Sequence, residues 1–242
     1  MPAYAFFVGG ATVIILAVII LARLTQREMV PDPRGGAVIA NRRLSVGDLY
    51  VNVLLSQVVV LIALVGLAWL TTVPRSAFGI GGHDLSIASQ VTIGMLLGLG
   101  LYVLNAGSVF VLDRLGIGYS DDLRGALAPN GIVGWVVLLL LVLPVIAISE
   151  EVIFRAAMIG AVAAGFGVSP LILVIVSSVA FAVGHGIQGA GGILVTGVLG
   201  AVLGAAFVLS GSLLLVVAAH YIVNVLEFVV HEGIGIKSGR PT

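Results

Sequence analysis

Four short polar patches interrupt an otherwise oily chain: Glu150-Glu151, Arg155, His185, and His220 with Asn224. An ionisable group at the centre of a bilayer costs about 2.5–3.5 kcal/mol on insertion scales. Two carboxylates, a guanidinium and two imidazoles retained inside apolar segments therefore mark a functional site, and their types suit acid–base chemistry.

Glu151 and Arg155 stand four apart, so on a helix they are neighbours and can neutralise each other. Glu150 lies about 100° round the same helix, outside that bond, and is left to serve as a general base. His185 closes the apolar run that contains Phe181, and Gly184 and Gly186 on either side leave room for a second backbone. Phe181, one turn earlier, reads as packing. His220 and Asn224 are i, i+4 on one helix face, two donors that could meet at one developing oxyanion. Each patch taken alone also has a structural reading: a salt-bridged helix end, a helix cap, an interhelical hydrogen bond. Glu227 reads as a helix-end group facing headgroups, and His231-Glu232 does not complete an HExxH zinc helix. His83 falls in a loop. Ser177 and Ser178 read as a polar helix contact, with no base spaced to activate either.

The elements that must carry these groups are membrane helices. Of 242 residues, 60% are apolar and only 9% are Asp, Glu, Lys or Arg, against about 25% charged in ordinary soluble domains. Mean hydropathy is +1.24. At about 20 residues per crossing, the length accommodates seven or eight helices joined by short loops. Eleven basic and eleven acidic residues cancel, which leaves no basic surface for nucleic acid. With no cysteine there is neither disulfide nor thiolate chemistry. The pairs Gly94/Gly98 and Gly200/Gly204 have the spacing that lets membrane helices approach closely.

The apolar runs place spans at 4–22, 50–71 (ending at Trp69), 89–112, 131–164, 170–187, 193–209 and 213–231. The first is expected to be a retained helix and not a signal peptide, since it lacks a basic leading region. Residues 131–164 exceed one crossing; either one long tilted helix or a broken one accommodates them, and Pro144 is placed to kink it. Residues 23–48 read as a loop broken by Pro31 and Pro33. Its five arginines (Arg23, Arg27, Arg34, Arg42, Arg43) put it in the cytoplasm and the N-terminus outside. Seven crossings then leave Lys237 and Arg240 in the cytoplasm too, whereas an eighth would not. The expected class is an all-α, polytopic transmembrane bundle of about seven spans, or eight. It divides into N-terminal helices (1–128), a catalytic helix core (129–232) and a short cytoplasmic tail (233–242).

Taken in order, EExxxR, FxxxH and HxxxN on successive apolar helices resemble the signature of the CPBP intramembrane proteases, the CAAX prenyl endopeptidase and bacteriocin-processing (Abi) family. The matching residues are Glu150, Glu151 and Arg155; Phe181 and His185; His220 and Asn224. The likeness covers residues 130–230. It implies an intramembrane endopeptidase that cuts a protein or peptide substrate at the lipid bilayer of the cell membrane. It further implies that Glu150 and His185 hold and activate water, that His220 and Asn224 form the oxyanion hole, and that Glu151 and Arg155 orient the site. Metal-free chemistry is favoured; the zinc alternative takes Glu150, His185 and His220 as ligands. Two competing readings stay open: a proton-coupled transporter, against which no internal repeat between the halves is found, and a non-catalytic scaffold or immunity protein of the same fold.

Overall fold

The computed structural model describes residues 1–31, 36–39, 42–82 and 84–236. Pro33, Arg34, His83, Lys237 and Arg240 lie outside the described residues. Among the described residues, apart from two short 3-10 turns (Arg75–Phe78 and Gly186–Gln188), there are eight helices: α1 (Pro2–Glu28), α2 (Val46–Thr71), α3 (Ile87–Arg114), α4 (Asp122–Leu127), α5 (Ile132–Phe166), α6 (Pro170–Gly184), α7 (Gly189–Ser210) and α8 (Leu213–Gly233). Six of them, α1, α2, α3, α5, α7 and α8, are long and apolar enough to cross a membrane. Their outward positions are oily, as lipid contact requires: Phe6, Leu55, Leu96, Leu140 and Leu194 are all exposed.

The seventh apolar helix, α6, has 15 residues. At 1.5 Å per residue it reaches about 22 Å, short of a hydrocarbon core of about 30 Å. His185 follows directly as its C-terminal cap residue.

The arginine-rich stretch differs from expectation. Instead of irregular loop, α1 continues through Arg23 and Arg27 to Glu28, and among the described residues beyond it a small antiparallel sheet forms, β1 (Met29–Pro31), β2 (Ala37–Ile39) and β3 (Arg42–Leu44), in the order β1-β2-β3. Gly36 makes the tight entry into β2 at φ +88°, with Leu44 O where a Cβ would sit, and its amide donates to Ala126 O in α4. Ser45 then caps α2, with Asp48 returning the bond to the Ser45 amide.

The long stretch 131–164 resolves as one continuous helix, α5, with two wider, π-type turns at Leu138–Val142 and Val152–Ala161. The first has a visible cause. Leu143 N–H reaches back five residues to Leu138 O; in that register Leu139 O would need the amide of residue 144, which is a proline and has none. Tyr221 of α8 supplies the missing donor, its hydroxyl lying 3.0 Å from Leu139 O. The second wide turn is buttressed the same way: Ser177 of α6 donates to Phe154 O at 2.7 Å.

Close helix approach follows the small-residue spacing. A Cβ at Gly94 would meet Leu215 O, and one at Gly98 would meet Ala219 O at 2.5 Å, so α3 lies directly on the backbone of α8. On α7, a Cβ at Gly200 would meet Ser178 Cα of α6 at 3.3 Å and one at Gly204 the Val174 side chain at 3.2 Å.

Two outcomes test this packing. Tyr221→Phe should cost about 1–3 kcal/mol by orphaning a buried carbonyl, read as a lowered melting temperature in detergent. The cost should shrink in a Pro144→Ala background, where residue 144 regains its amide. Gly98→Val should destabilise by about 1–3 kcal/mol or more through overpacking, read in the same melt.

Candidate active site

The motif residues converge on one buried carboxylate. Glu151 has no exposed surface. Its Oε1 receives Arg155 Nη1 at 2.7 Å, the pairing expected from their spacing, and also His220 Nδ1 at 2.7 Å from α8. Arg155, equally buried, donates from Nη2 to Gly200 O at 3.1 Å, so α5, α7 and α8 meet at one ion pair. A charge pair this deep is tolerable only because its atoms bond to each other and to backbone. Two atoms of the pair, Glu151 Oε2 and Arg155 Nε, have no protein partner among the described residues.

The bond to Glu151 fixes the chemistry of His220. A carboxylate only accepts, so Nδ1 must carry a hydrogen, and Nε2 points away with a lone pair or a second proton. Nε2 lies 3.5 Å from Glu150 Oε2. Glu150 is thus separate from the Glu151–Arg155 bond, as its angular position requires, and faces the other edge of the same imidazole. This alters the expected oxyanion role. With Nδ1–H committed to Glu151, His220 can donate from Nε2 only as an imidazolium, not as a neutral donor.

Phe181 does more than pack. Its ring centroid lies 4.5 Å from that of His185, 6.0 Å from that of His220 and 5.0 Å from that of Phe154, and the Arg155 guanidinium sits 4.9 Å above it. One aromatic ring therefore carries both motif histidines and the motif arginine, with the cation over its electron-rich face. Gly200 keeps this possible, since a Cβ there would meet Phe181 Cδ1 at 3.2 Å.

His185 closes α6, and its Nδ1 donates to Phe181 O at 2.8 Å, which leaves Nε2 free to accept when the imidazole is neutral. Asn224 stands one turn past His220, half-buried, with no side-chain hydrogen bond among the described residues. Glu150 and His185 are not bonded to each other; what they share is the Phe181–His220 neighbourhood. Nor do Glu150, His185 and His220 gather as a zinc set: among the described residues, no three His, Asp or Glu side chains are placed to hold one ion.

A second polar cluster escaped the sequence. Glu227 does not face headgroups; Asn105 of α3 and Arg124 of α4 both donate to it, the latter at 3.0 Å. Arg124 also reaches Glu232 at 2.9 Å and Asp121 at 2.6 Å, and His231 lies 3.6 Å from Glu227. The only available signal was an excess of carboxylates at one helix end, which reads equally well as a solvated terminus.

Removing one partner of the central pair should be costly: Arg155→Ala strands Glu151 and is expected to lose about 3–5 kcal/mol. The check is the fraction of folded protein surviving detergent extraction and gel filtration, with Arg155→Lys retaining more of it than Arg155→Ala.

Residues 132–226, from the first turn of α5 to the Asn224 turn of α8, match a protein-family model described as type II CAAX prenyl endopeptidase Rce1-like. No curated protein and no solved structure matches the chain. The matched stretch supplies Glu150, Glu151, Arg155, Phe181, His185, His220 and Asn224, the same residues that carry the likeness to the CPBP proteases, so it is this stretch that is similar to the Rce1-like endopeptidases.

Proposed function

We propose that this protein is an intramembrane endopeptidase that hydrolyses a peptide bond of a membrane-associated or lipidated protein or peptide, with residues 129–232 as its catalytic core. The observation that carries the reading is the imidazole of His220, held by a buried carboxylate at Nδ1 and facing a second carboxylate, Glu150, at Nε2.

Hydrolysis of an amide needs a base for the water and a positive or hydrogen-bonding group for the tetrahedral oxyanion. Glu150 is the base. His185, with Nε2 as its acceptor nitrogen, helps orient the water, and Asn224 with His220 receives the oxyanion. Two carboxylates against one guanidinium leave the buried group one negative charge in excess. An imidazolium at His220, whose Nε2 lies 3.5 Å from Glu150 Oε2, balances it. When Glu150 takes the proton from water, His220 remains a charged donor toward the oxyanion, a stronger clamp than a neutral imidazole. Glu151 and Arg155 position this proton and touch no reacting atom. The polar atoms Glu151 Oε2 and Arg155 Nε need water to be satisfied, which suits a hydrated hollow between helices.

The reaction is assigned to the protein groups alone, without zinc. Its place is the cell membrane, with the N-terminus outside and the arginine-rich stretch inside.

Cleavage of a fluorogenic membrane-anchored peptide in proteoliposomes tests the assignment. Glu150→Ala and His185→Ala should each lower kcat by about 100- to 10,000-fold while their melting curves match wild type. Full activity in Glu150→Ala would refute Glu150 as base. For the metal, activity should persist after chelation, and elemental analysis should find less than one equivalent of zinc in active protein; stoichiometric zinc lost together with activity would overturn the metal-free assignment.

A further inference from the structure

The segment between α3 and α5 belongs to none of the motifs, yet it touches both the stretch that follows His185 and the helix that carries Asn224. On one side its backbone bonds the stretch after His185: Ser120 N donates to Gln188 O at 3.0 Å, and Gly191 N donates to Gly118 O at 2.9 Å. The approach is so close that a Cβ on Gly191 would meet Gly118 O at 2.7 Å, which explains a glycine there. Tyr119 adds an apolar contact, packing on Val109, Leu112 and Val195, and burial pushes its hydroxyl pKa up to about 12.

On the other side the segment is held to α8 by Arg124. Glu227 and Glu232, its two partners there, stand three and eight residues past Asn224. Asp121 completes the set, and the arginine side chain is only 10% exposed. Burial alone would weaken the cation; the Glu232 hydrogen bond and the charges of Glu227 and Asp121 outweigh it and raise the Arg124 pKa. Asn105 of α3 donates to Glu227 as well, so the carboxylate is fixed from two directions. The far end of the segment is anchored by Tyr50 OH on Leu127 O at 2.8 Å.

We propose that Arg124 is a positioning residue for the reaction: it pins the 116–127 segment as a rigid bracket between the His185 turn and the HxxxN helix, and so sets the spacing at which His185 and Asn224 meet the scissile bond. This rests on the proposed proteolytic function. The bracket is needed because His185 stands at the end of a short helix, bonded through Nδ1 only to its own preceding turn. The Phe181 ring contact fixes the start of that turn and not the residues that follow. Asn224, with no side-chain hydrogen bond among the described residues, depends on α8 for its aim. A guanidinium can hold three carboxylates in fixed directions, which a lysine cannot.

The chain has no cysteine, so a spin-label pair at Ala190→Cys and Ile234→Cys reports the spacing cleanly, independent of any cleavage. In wild type the distance distribution should be narrow. In Arg124→Gln it should broaden or shift, and kcat on the membrane-anchored peptide should fall at least about tenfold with KM within about twofold, one decade being about 1.4 kcal/mol of barrier. Arg124→Lys should restore part of both, and exposed Arg75→Gln should change neither. If Arg124→Gln does not fold, Asp121→Asn combined with Glu232→Gln removes two of the three pairs and should show the same pattern in milder form. An unchanged distance distribution in Arg124→Gln would overturn the bracket. Broadening with unaltered kcat, or a loss confined to KM, would overturn the positioning role. A wild-type chain that cleaves no peptide would instead sink the proteolytic reading, while the distance measurement still decides the bracket.

Discussion

A buried carboxylate that must find positive partners organises this protein. Glu151 has no access to solvent, and leaving it unpaired inside a bilayer would cost several kcal/mol. Its one oxygen that is bonded is claimed by Arg155 and by His220. Satisfying it brings α8 against α5, and satisfying Arg155 brings the Gly200 carbonyl of α7 to the same point. Phe181 then fills the space under the guanidinium and carries His185 in from the end of α6. The same bonds that make burial tolerable thus assemble the candidate catalytic groups. Stability and chemistry are coupled at this pair, which is why its loss should be felt in both.

Around that centre the helices are shaped by local backbone needs. Pro144 removes one amide from α5, a wider turn absorbs the register change, and Tyr221 repairs the carbonyl left over. Tyr221 follows His220 directly in sequence, so one turn of α8 both repairs α5 and faces Glu150. The second wide turn of α5 contains Arg155, and Ser177 steadies it from α6. Backbone departures from regular helix are tolerated at membrane depth only where protein groups satisfy them, and here they lie next to the polar cluster.

Much of this was legible in the sequence. Helix positions followed from runs of apolar residues, and the Glu151–Arg155 bond followed from a four-residue spacing. The glycine pairs marked α3 and α7 as helices with a close-approach face, while their partners, α8 and α6, came only with the structure. Other features carry no local signal. That His220 would bond Glu151, 69 residues away, and so commit its Nδ1 hydrogen, depends on how two helices rotate against each other. The shortness of α6 was hidden because its apolar run continues through Gly184 into the His185 turn. Phe181 looked like packing because nothing in its own helix reveals the Arg155 and His185 that flank it. The β1–β3 sheet was missed because its strands are three residues each, too short for alternation to register. Glu227 was misread because its partners, Asn105 and Arg124, come from helices more than 100 residues earlier.

The most direct check of the account reads the imidazole of His220. With four histidines in the chain, nitrogen-15 resonances can be assigned by replacing each in turn with glutamine. The account predicts a His220 Nδ1 that carries a hydrogen strongly bonded to a carboxylate, with that signature weakened in Glu151→Gln. A His220 protonated at Nε2 alone, with a bare Nδ1 indifferent to Glu151, would contradict it.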